Sequence, residues 1–458
     1  MPLKAGTGDS LEQESSQNES RTAISGLDHQ AKSDDIYIEG DALVESRGQL
    51  WRSLARVALV FASIVGLSMY FHVAKTLAVV LALILMIMIH ELGHFATAKW
   101  SGMKVTEYFL GFGPKLWSFK RGETEYGVKI LPAGGYVRIV GMTNLETVDP
   151  TDESKAYRNA TFPRKVLVSS AGSIMHFVMA YLILVILFSV VGVANPAKAQ
   201  IASLVQFSKG MAPAAIAGLQ PGDIIQSVNG TPIGSIDNLV TQIQDSAGKI
   251  LVLGIQRGDI NVTKSVQPVE ALALESGVSG SAGTLGLIGV RLTEPVQTVG
   301  VLTSFVRPFS VIGSYSAATV TALVSHFSPS GITQYVKALS HPASTTSGAG
   351  ADVRFESPVG IVRLASQAAN VGLGAVLTLL FSINVFIGIF NMAPLLPLDG
   401  GHVVIATYER IRSRRGRPFH ADMMKLIPVT YAVLFIIVLL GVTALYLDIT
   451  HPLANPFG

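Results

Sequence analysis

Two histidines and a glutamate follow directly on a run of apolar residues. His90, Glu91 and His94 come after residues 77–89, all of which are apolar. Residues four apart lie on one face of an α-helix, so the two imidazoles can bind one metal ion. The carboxylate beside them can take a proton from a water molecule, and this HExxH spacing is typical of zinc-dependent hydrolysis. The alternative is a pair of hydrogen-bonded histidines near a membrane interface, but ionisable groups at membrane depth favour a functional role.

A metal site of this type needs a third ligand, and Asp399 is the best candidate. It lies in FNMAPLLPLDGGH, residues 390–402, which closes another apolar segment. The prolines before it end a helix, and the glycines after it permit the tight turn that would direct a carboxylate inward. The alternative is an ordinary helix end with an Asp-Gly turn. His402 is a rival ligand, although it leads into a basic loop.

The composition is that of a membrane protein with some soluble mass. Of its 458 residues, 49% are hydrophobic and only 14% are charged, whereas about a quarter is charged in a soluble domain. The net charge of +3 and the absence of basic stretches with interleaved aromatics argue against nucleic-acid binding. Because there is no cysteine, a metal site must use His, Asp or Glu.

Long apolar runs predict membrane spans, since a helix needs roughly 20 residues to cross a bilayer. They fall at residues 55–72, 76–97, 166–195, 373–398 and 426–447. The first has two open interpretations: a fifth span, or an N-terminal extension lying on the membrane. The polar residues before it predict a disordered cytoplasmic tail.

Lysine and arginine in the loops predict the orientation. Residues 402–425 are rich in arginine, and the segment 99–165 carries several lysines close to the preceding span. Both loops are therefore expected on the cytoplasmic side, which leaves residues 196–372 outside. Within 99–165, short alternating stretches such as Tyr126–Ile130 and Tyr136–Val140 predict β-hairpins lying against the membrane.

The outer segment has two parts. In residues 197–293, the order of a short helix, a Pro-Gly-Asp turn, the strand Ile224–Val228 and an Asn-Gly turn predicts a β-rich, PDZ-like domain. Such a domain binds extended peptides by adding a strand to a sheet edge. The alternative is another β-domain with the same turns. Residues 294–372 combine an apolar stretch, expected to be a helix on the membrane surface, with a Ser/Gly-rich linker.

Together these motifs resemble the site-2 protease family of intramembrane zinc metalloproteases. The resemblance rests on HELGH, on GFGPKLW, GETEYGVKILPAGGYV and GM after it, on the PDZ-like insert and on NMAPLLPLDGGH. It covers about residues 75–450 and is similar to the bacterial regulator-of-sigma-E-protease group. It implies a multi-pass protein of the inner (plasma) membrane with the PDZ-like domain on the extracytoplasmic side.

The resemblance implies that His90, His94 and Asp399 hold Zn²⁺ and that Glu91 is the catalytic base. It also implies residues that hold or steer the substrate. These are Gly134, Gly135 and Tyr136 in the membrane-associated β-structure, and Asn384 and Asn391 in the third core span. Hydrogen bonding between helices is the alternative role of the two asparagines. His176 stands where the family often has Asn, and both packing and substrate contact are open to it.

The predicted function is regulated intramembrane proteolysis of single-span membrane proteins, after a site-1 protease has shortened them outside. Family analogy indicates an anti-sigma factor or a signal-peptide remnant as substrate, and a peptide C-terminus as a partner of the PDZ-like domain. One alternative is a membrane-anchored zinc protease that cuts cytosolic or misfolded chains, which would normally use Glu as third ligand. Another is a non-catalytic PDZ scaffold with a structural metal, against which Glu91 argues because such a site needs no base.

The expected fold is a polytopic α-helical membrane protein of four core spans, possibly a fifth, with a membrane-associated β-hairpin region and an inserted β-domain. The predicted parts are a tail (1–50), a possible extra span (51–73), the N-terminal half of the protease core (75–195), the PDZ-like domain (197–293), the amphipathic and linker region (294–372) and the C-terminal half of the core (373–450).

Overall fold

The computed structural model describes residues 47–142, 147–195, 197–205, 207, 211–270, 286–341, 354–413 and 419–453. The chain divides into two units, with the boundary between Ala62 and Ser63. In chain order the helices are α1 (Arg47–Tyr70), α2 (Ala74–Trp100), α3 (Phe162–Ile186), α4 (Pro213–Ile216), α5 (Ile236–Gln244), α6 (Val301–His326), α7 (Pro329–Ser340), α8 (Pro358–Val371), α9 (Leu373–Asn391), α10 (Asp399–Arg412) and α11 (Ile427–Thr450).

The strands are short except in one hairpin. They are β1 (Val105–Arg121), β2 (Thr124–Ile139), β3 (Val193–Ala194), β4 (Ala199–Leu204), β5 (Ile224–Val228), β6 (Thr231–Pro232), β7 (Leu251–Arg257), β8 (Ile260–Val266), β9 (Val269–Glu270), β10 (Gly286–Leu287), β11 (Val290–Thr293) and β12 (Val296–Gln297).

Four helices of the described ranges, α2, α3, α9 and α11, are long and apolar enough to cross a membrane. They fall where the four core spans are predicted. The predicted tail lies outside the described residues up to residue 46, and its last residues, 47–50, begin α1 instead. The apolar part of α1 that is described, Phe61–Tyr70, is shorter than a span, so a fifth crossing stays a prediction.

One prediction about the C-terminal half is wrong. The basic segment predicted as a loop from residue 402 is helical as far as Arg412, in α10. Helix α8, near the end of the predicted amphipathic and linker region, buries Ala365 and Ala368 completely. Small side chains allow helices to approach closely, and Ala365 packs in a cluster with Met86 of α2 and Leu380 of α9.

The predicted surface helix is α6, and it packs on two core helices. The ring of Phe309 lies 5.0 Å from that of Tyr181 on α3. Further along α6, the ring of Tyr315 lies 5.1 Å from that of Phe381 on α9. The helix therefore crosses the faces of α3 and α9, and its partners are protein side chains.

The hairpin predicted after α2 is present and folds back on itself. Residues 105–110 pair with residues 135–139 on one side and with residues 125–128 on the other, and residues 117–121 continue the sheet beyond them. Residues 105–110 run antiparallel to residues 135–139, and residues 117–121 run antiparallel to residues 124–128, whereas residues 107–110 and 125–128 run in the same direction. Residues 135–139 consequently form an edge, because they pair on one side only among the residues that the structure describes.

The β-domain is built on a sheet in the order β11-β4-β5-β7-β8, with β6 beside β5. The strand predicted at Ile224–Val228 has those bounds, and positive φ angles at Asn229 (49°) and Gly230 (82°) form the predicted turn. Packing of the sheet against α5 forms the core, in which Ile225, Leu239 and Leu253 are almost completely buried.

The Pro-Gly-Asp turn of this domain is held by a buried ion pair. Asp223 is fully buried, and its two carboxylate oxygens accept hydrogen bonds from Nε and Nη2 of Arg257 at 2.7 and 2.8 Å. Oδ2 also accepts the backbone N–H of Gln220 at 2.9 Å. These bonds from Arg257 hold the pKa of Asp223 below its usual value.

We expect Arg257→Met to destabilise the β-domain by about 2–3 kcal/mol, because it leaves a buried carboxylate unpaired while the lost guanidinium is partly hydrated. Hydrogen exchange of the β5 and β7 amides in the full chain should become faster, and Arg291→Met, an exposed site on β11, is the control. The pKa of Asp223 is lower in the folded than in the unfolded state, so the ion pair contributes its full stability at a pH above the unfolded-state pKa. This contribution is lost as the pH falls through the folded-state pKa. Unchanged exchange in Arg257→Met would contradict this role.

Candidate metal centre

The two histidines of α2 and the aspartate of α10 meet at one point. Nε2 of His90 and Nε2 of His94 are 3.3 Å apart. Oδ2 of Asp399 lies 3.5 Å from the former and 3.3 Å from the latter. Both histidines are buried, and the aspartate side chain is only 17% exposed. Residues separated by about 300 positions thus present three ligand atoms to one small volume.

Helix α3 carries no ligand, but its backbone orients the imidazoles. The carbonyl of Val168 accepts a hydrogen bond from Nδ1 of His94 at 2.7 Å, which leaves Nε2 free to bind a metal. One turn further, a β-carbon on Gly172 would lie 2.3 Å from Cε1 of His90 and 2.4 Å from Nε2 of His94. On α2, a β-carbon on Gly93 would lie 2.7 Å from the Ala171 carbonyl oxygen, so α3 approaches α2 closely at Gly93.

The proline- and glycine-rich segment before α10 brings Asp399 to the site. Helix α9 ends at Asn391, and turns over residues 392–398 lead into α10, whose first residue is Asp399. A β-carbon on Gly400 would lie 2.2 Å from the carbonyl oxygen of Met392, and one on Gly401 would lie 2.7 Å from the backbone nitrogen of Leu396. Both glycines are therefore required for α10 to start tightly against the turn.

A buried ion pair holds α10 against α3. Nζ of Lys165 lies 2.8 Å from Oε2 of Glu409, and both side chains are less than 10% exposed. Oε1 of Glu409 accepts the backbone N–H of Ala421 at 2.9 Å. Since Glu409 and Asp399 are on the same helix, this pair fixes the position from which the aspartate reaches the histidines.

Glu91 faces the β1–β2 sheet. Its carboxylate lies beside the backbone of Val137, and a β-carbon on Gly135 would come within 3.1 Å of its Cγ. Tyr108 of β1 donates a hydrogen bond to the carbonyl of Met88 at 2.9 Å. Burial and the nearby Glu91 raise the pKa of Tyr108 to about 12, so its hydroxyl stays protonated and fastens the sheet to α2 beside the glutamate.

The predicted substrate-binding residues lie in different surroundings and differ in burial. Gly135 and Tyr136 lie on the edge segment next to Glu91, and the Tyr136 hydroxyl is hydrogen-bonded to Glu107. Asn384 is fully buried and bonds to His176 at 2.9 Å. Asn391, at the end of α9, is half-buried. Substrate contact by any of these residues stays a prediction.

The remaining two residues discussed from the sequence also lie near the centre. Gly134 lies at the start of the edge, with φ at 159°, and His402 follows Asp399 by one turn of α10. The metal group found among the described residues consists of His90, His94 and Asp399. His402 is not part of it, although it was a rival ligand.

The geometry of the three ligand atoms fits zinc. Ligand distances of about 2.0–2.1 Å place the atoms of a tetrahedral zinc site about 3.3 Å apart, and the observed separations are 3.3 to 3.5 Å. Oδ2 of Asp399 is buried and accepts no hydrogen bond from the described residues. Two imidazoles and one carboxylate leave a fourth position open for a reacting group, as in catalytic zinc sites.

Sequence reasoning missed the groups that support the ligands. The Val168 carbonyl has no sequence signal, because every residue has one. Gly172 had a weak signal, as a small residue within an apolar span. Lys165 and Glu409 had a stronger sequence signal, since ionisable residues at the ends of apolar helices often pair. The two residues are 244 positions apart, however, and the sequence does not show that they pair with each other.

Comparison with known proteins shows the family to which the chain belongs. Residues 78–438 match the profile of peptidase family M50. The zinc metalloprotease Rip1 of Mycobacterium tuberculosis is 33% identical over 405 residues, which cover 81% of this chain and 96% of that protein. A putative zinc metalloprotease of Clostridium perfringens is 30% identical over 331 residues, covering 72% of this chain and 87% of that protein. A solved PDZ domain of an SdrC-like protein from Listeria monocytogenes is 23% identical, covers 22% of this chain and 90% of its own, and has a TM-score of 0.16.

Gly172→Ala should abolish stoichiometric metal binding, because its methyl group would displace both imidazoles from their present positions. Metal analysis of the protein purified with zinc should give well under one ion per chain. Gly441→Ala is the matched control on α11, where a β-carbon would meet nothing within 4 Å. Full zinc occupancy in Gly172→Ala would show that α3 does not approach the ligands as described.

Lys165→Met should lower the stability of the chain by about 3–5 kcal/mol, since the buried carboxylate of Glu409 loses its partner. Thermal unfolding in detergent measures the effect. The double variant Lys165→Met, Glu409→Leu should recover most of the loss, because an apolar pair of similar volume removes the unpaired charge. A double variant no more stable than the single one would contradict this explanation.

Proposed function

The chain belongs to peptidase family M50 and is a zinc metalloprotease, and from this premise we propose that it cleaves single-span proteins within the membrane. His90, His94 and Asp399 hold the zinc, and Glu91 is the general base. The observation that carries the proposal is the ligand triangle, which joins the HExxH motif of an apolar helix to an aspartate that follows a second apolar helix. Such a site lies where a transmembrane substrate can reach it.

The expected depth of the site supports this proposal. With a rise of 1.5 Å per residue, His90 lies about 20 Å along α2 from Leu77, well inside a bilayer of about 30 Å. The basic residues after α2 and within α10 favour a cytoplasmic location for both loops. The β-domain is then extracytoplasmic, and the metal lies nearer the cytoplasmic side of the inner (plasma) membrane.

The residues of the site divide the chemistry of peptide hydrolysis between them. When bound, zinc supplies a Lewis acid that polarises the scissile carbonyl and makes water more acidic. Glu91 takes the proton of the attacking water on its carboxylate and passes it to the leaving amine. The edge segment beside Glu91 keeps this carboxylate close to the ligands, and Tyr108 fastens the sheet that carries the edge.

The edge at residues 135–139 is the proposed binding site of the substrate backbone. A transmembrane helix hides its peptide bonds in its own hydrogen bonds, so the segment to be cut has to be extended. An extended segment can pair with a sheet edge, and the absence of a side chain at Gly135 allows this edge to lie directly against Glu91. Asn391 is the further candidate for contact, at the half-buried end of α9.

The β-domain is proposed to act as a PDZ-like module that selects shortened substrates. Its edge strand β11 faces α5 across an apolar cleft of about 310 Å³ that includes Val240, Ile243, Leu287 and Leu292. A peptide C-terminus produced by a site-1 protease fits this arrangement, since strand addition at β11 would place alternate side chains in the cleft. Membrane-bound regulators of the anti-sigma-factor kind, or remnants of signal peptides, are the proposed substrates.

Glu91→Gln should lower cleavage of a single-span reporter by about 10²–10⁴-fold, because the amide cannot accept the water proton. The reporter, already lacking its outer domain, is incubated with the purified full chain in detergent, and the products are identified by mass spectrometry. A zinc chelator should have the same effect on the unmodified chain. The exposed Glu270→Gln is the matched control and should retain activity. Equal cleavage by the unmodified chain and by Glu91→Gln would refute the assignment.

A further inference from the structure

The two metal-binding histidines differ in what holds their rings. Nδ1 of His94 donates to the carbonyl of Val168 at 2.7 Å. Nδ1 of His90 is buried and has no hydrogen-bond partner among the described residues. Histidines that bind metals almost always donate their second ring N–H to an acceptor, which fixes the tautomer and the ring orientation. An acceptor for His90 therefore has to be sought next to its ring.

His176 of α3 packs directly against His90. The ring centroids are 5.0 Å apart, with an angle of 44° between the planes. His176 is only 1% exposed, and it lies one helical turn beyond Gly172, on the face of α3 that approaches the ligands. Gly388 of α9 provides the space for it, since a β-carbon there would lie 3.2 Å from Cβ of His176.

The hydrogen bonds of Asn384 determine which nitrogen of His176 carries the proton. Nδ2 of Asn384 donates to the carbonyl of Leu380 at 2.8 Å. Its Oδ1 is therefore the atom that faces Nδ1 of His176 at 2.9 Å and accepts a hydrogen bond from it. Nε2 of His176 is then a proton acceptor, and it bonds to no other described residue.

We propose that His176 is a positioning residue of the metal centre, and that its Nε2 accepts the Nδ1 proton of His90 when Nε2 of His90 binds zinc. The inference rests on the proposed metal site. The donors then run in one direction, from His90 to His176 to Asn384, whose amide is anchored on the Leu380 backbone. The bond would give the buried Nδ1 of His90 the partner that it lacks among the described residues.

The carbonyl of Gly172 is the rival acceptor, since the backbone at this position lies within hydrogen-bonding reach of the His90 ring. The two acceptors predict different results when His176 is replaced. If His176 is the acceptor, the affinity for zinc depends on the side chain at this position. If the Gly172 carbonyl is the acceptor, that affinity is independent of the His176 side chain.

The test measures zinc affinity in the full chain carrying Glu91→Gln, purified in detergent, by competition with a chelating dye. His176→Met removes the acceptor and fills the space with an adaptable apolar side chain, and we expect zinc to bind about 10–100-fold more weakly. His176→Gln, of similar size, supplies an amide oxygen as acceptor and should retain most of the affinity. His341→Met, an exposed histidine, is the control and should bind as the parent chain does.

Thermal unfolding of the metal-free variants provides the control for folding, and His176→Met and His176→Gln should unfold at similar temperatures. Equal zinc affinity of His176→Met and the parent chain would overturn the inference and assign the role to Gly172. Equal weakening in His176→Met and His176→Gln would also overturn it, because the acceptor would then have no effect. A parent chain that binds no stoichiometric zinc would refute the proposed metal site itself, and this inference with it.

Discussion

The close approach of α3 to α2 is the constraint on which the catalytic centre depends. A helix in an apolar environment gains little from the hydrophobic effect when it packs on another helix, so the contact depends on van der Waals packing and hydrogen bonds. Gly93 and Gly172 remove the side chains that would keep the backbones apart. Only then can the Val168 carbonyl reach His94 and the two imidazoles lie next to the α3 backbone. The metal ligands are on other helices, but α3 determines their geometry.

One face of α3 also connects the rest of the core. Lys165, Val168, Gly172 and His176 follow one another at intervals of three and four residues, so they share a face. They contact, in that order, α10, α2, both metal-binding histidines and α9. The Lys165–Glu409 pair is not by itself evidence of stability, since desolvation of both charges offsets much of their attraction. Its value lies in position, because it defines where α10 starts and hence where Asp399 points.

The sequence was sufficient to select the three side chains that the structure groups as a candidate metal site, and insufficient for the groups that support them. HExxH on a helix carries its geometry in its spacing, and the proline-glycine segment around Asp399 indicates a turn, so both could be recognised locally. The strand Ile224–Val228 was predicted to the residue because defined turns bound it on both sides. By contrast, α8 had no prediction of its own within the broad region 294–372. The continuation of α10 to Arg412 was missed because basic residues at a helix C-terminus resemble a loop. The roles of Gly172 and Val168 depend on which helices meet, and one sequence without tertiary contacts does not specify that.

The β-sheet beside Glu91 accounts for how a transmembrane helix could be cut at all. Unwinding such a helix exposes backbone N–H and C=O groups, and each unsatisfied group costs several kcal/mol in an apolar medium. The edge at residues 135–139 presents backbone N–H and C=O groups at the spacing of a β-strand. Pairing with this edge can therefore offset that cost over the few residues that must be extended. Because the edge lies next to Glu91, the segment that it stabilises is also the one brought to the base. In the proposed function, recognition of an unwound segment and its cleavage would then depend on the same contact between the sheet and α2, which would favour substrates whose helices are easily unwound over those with a particular sequence.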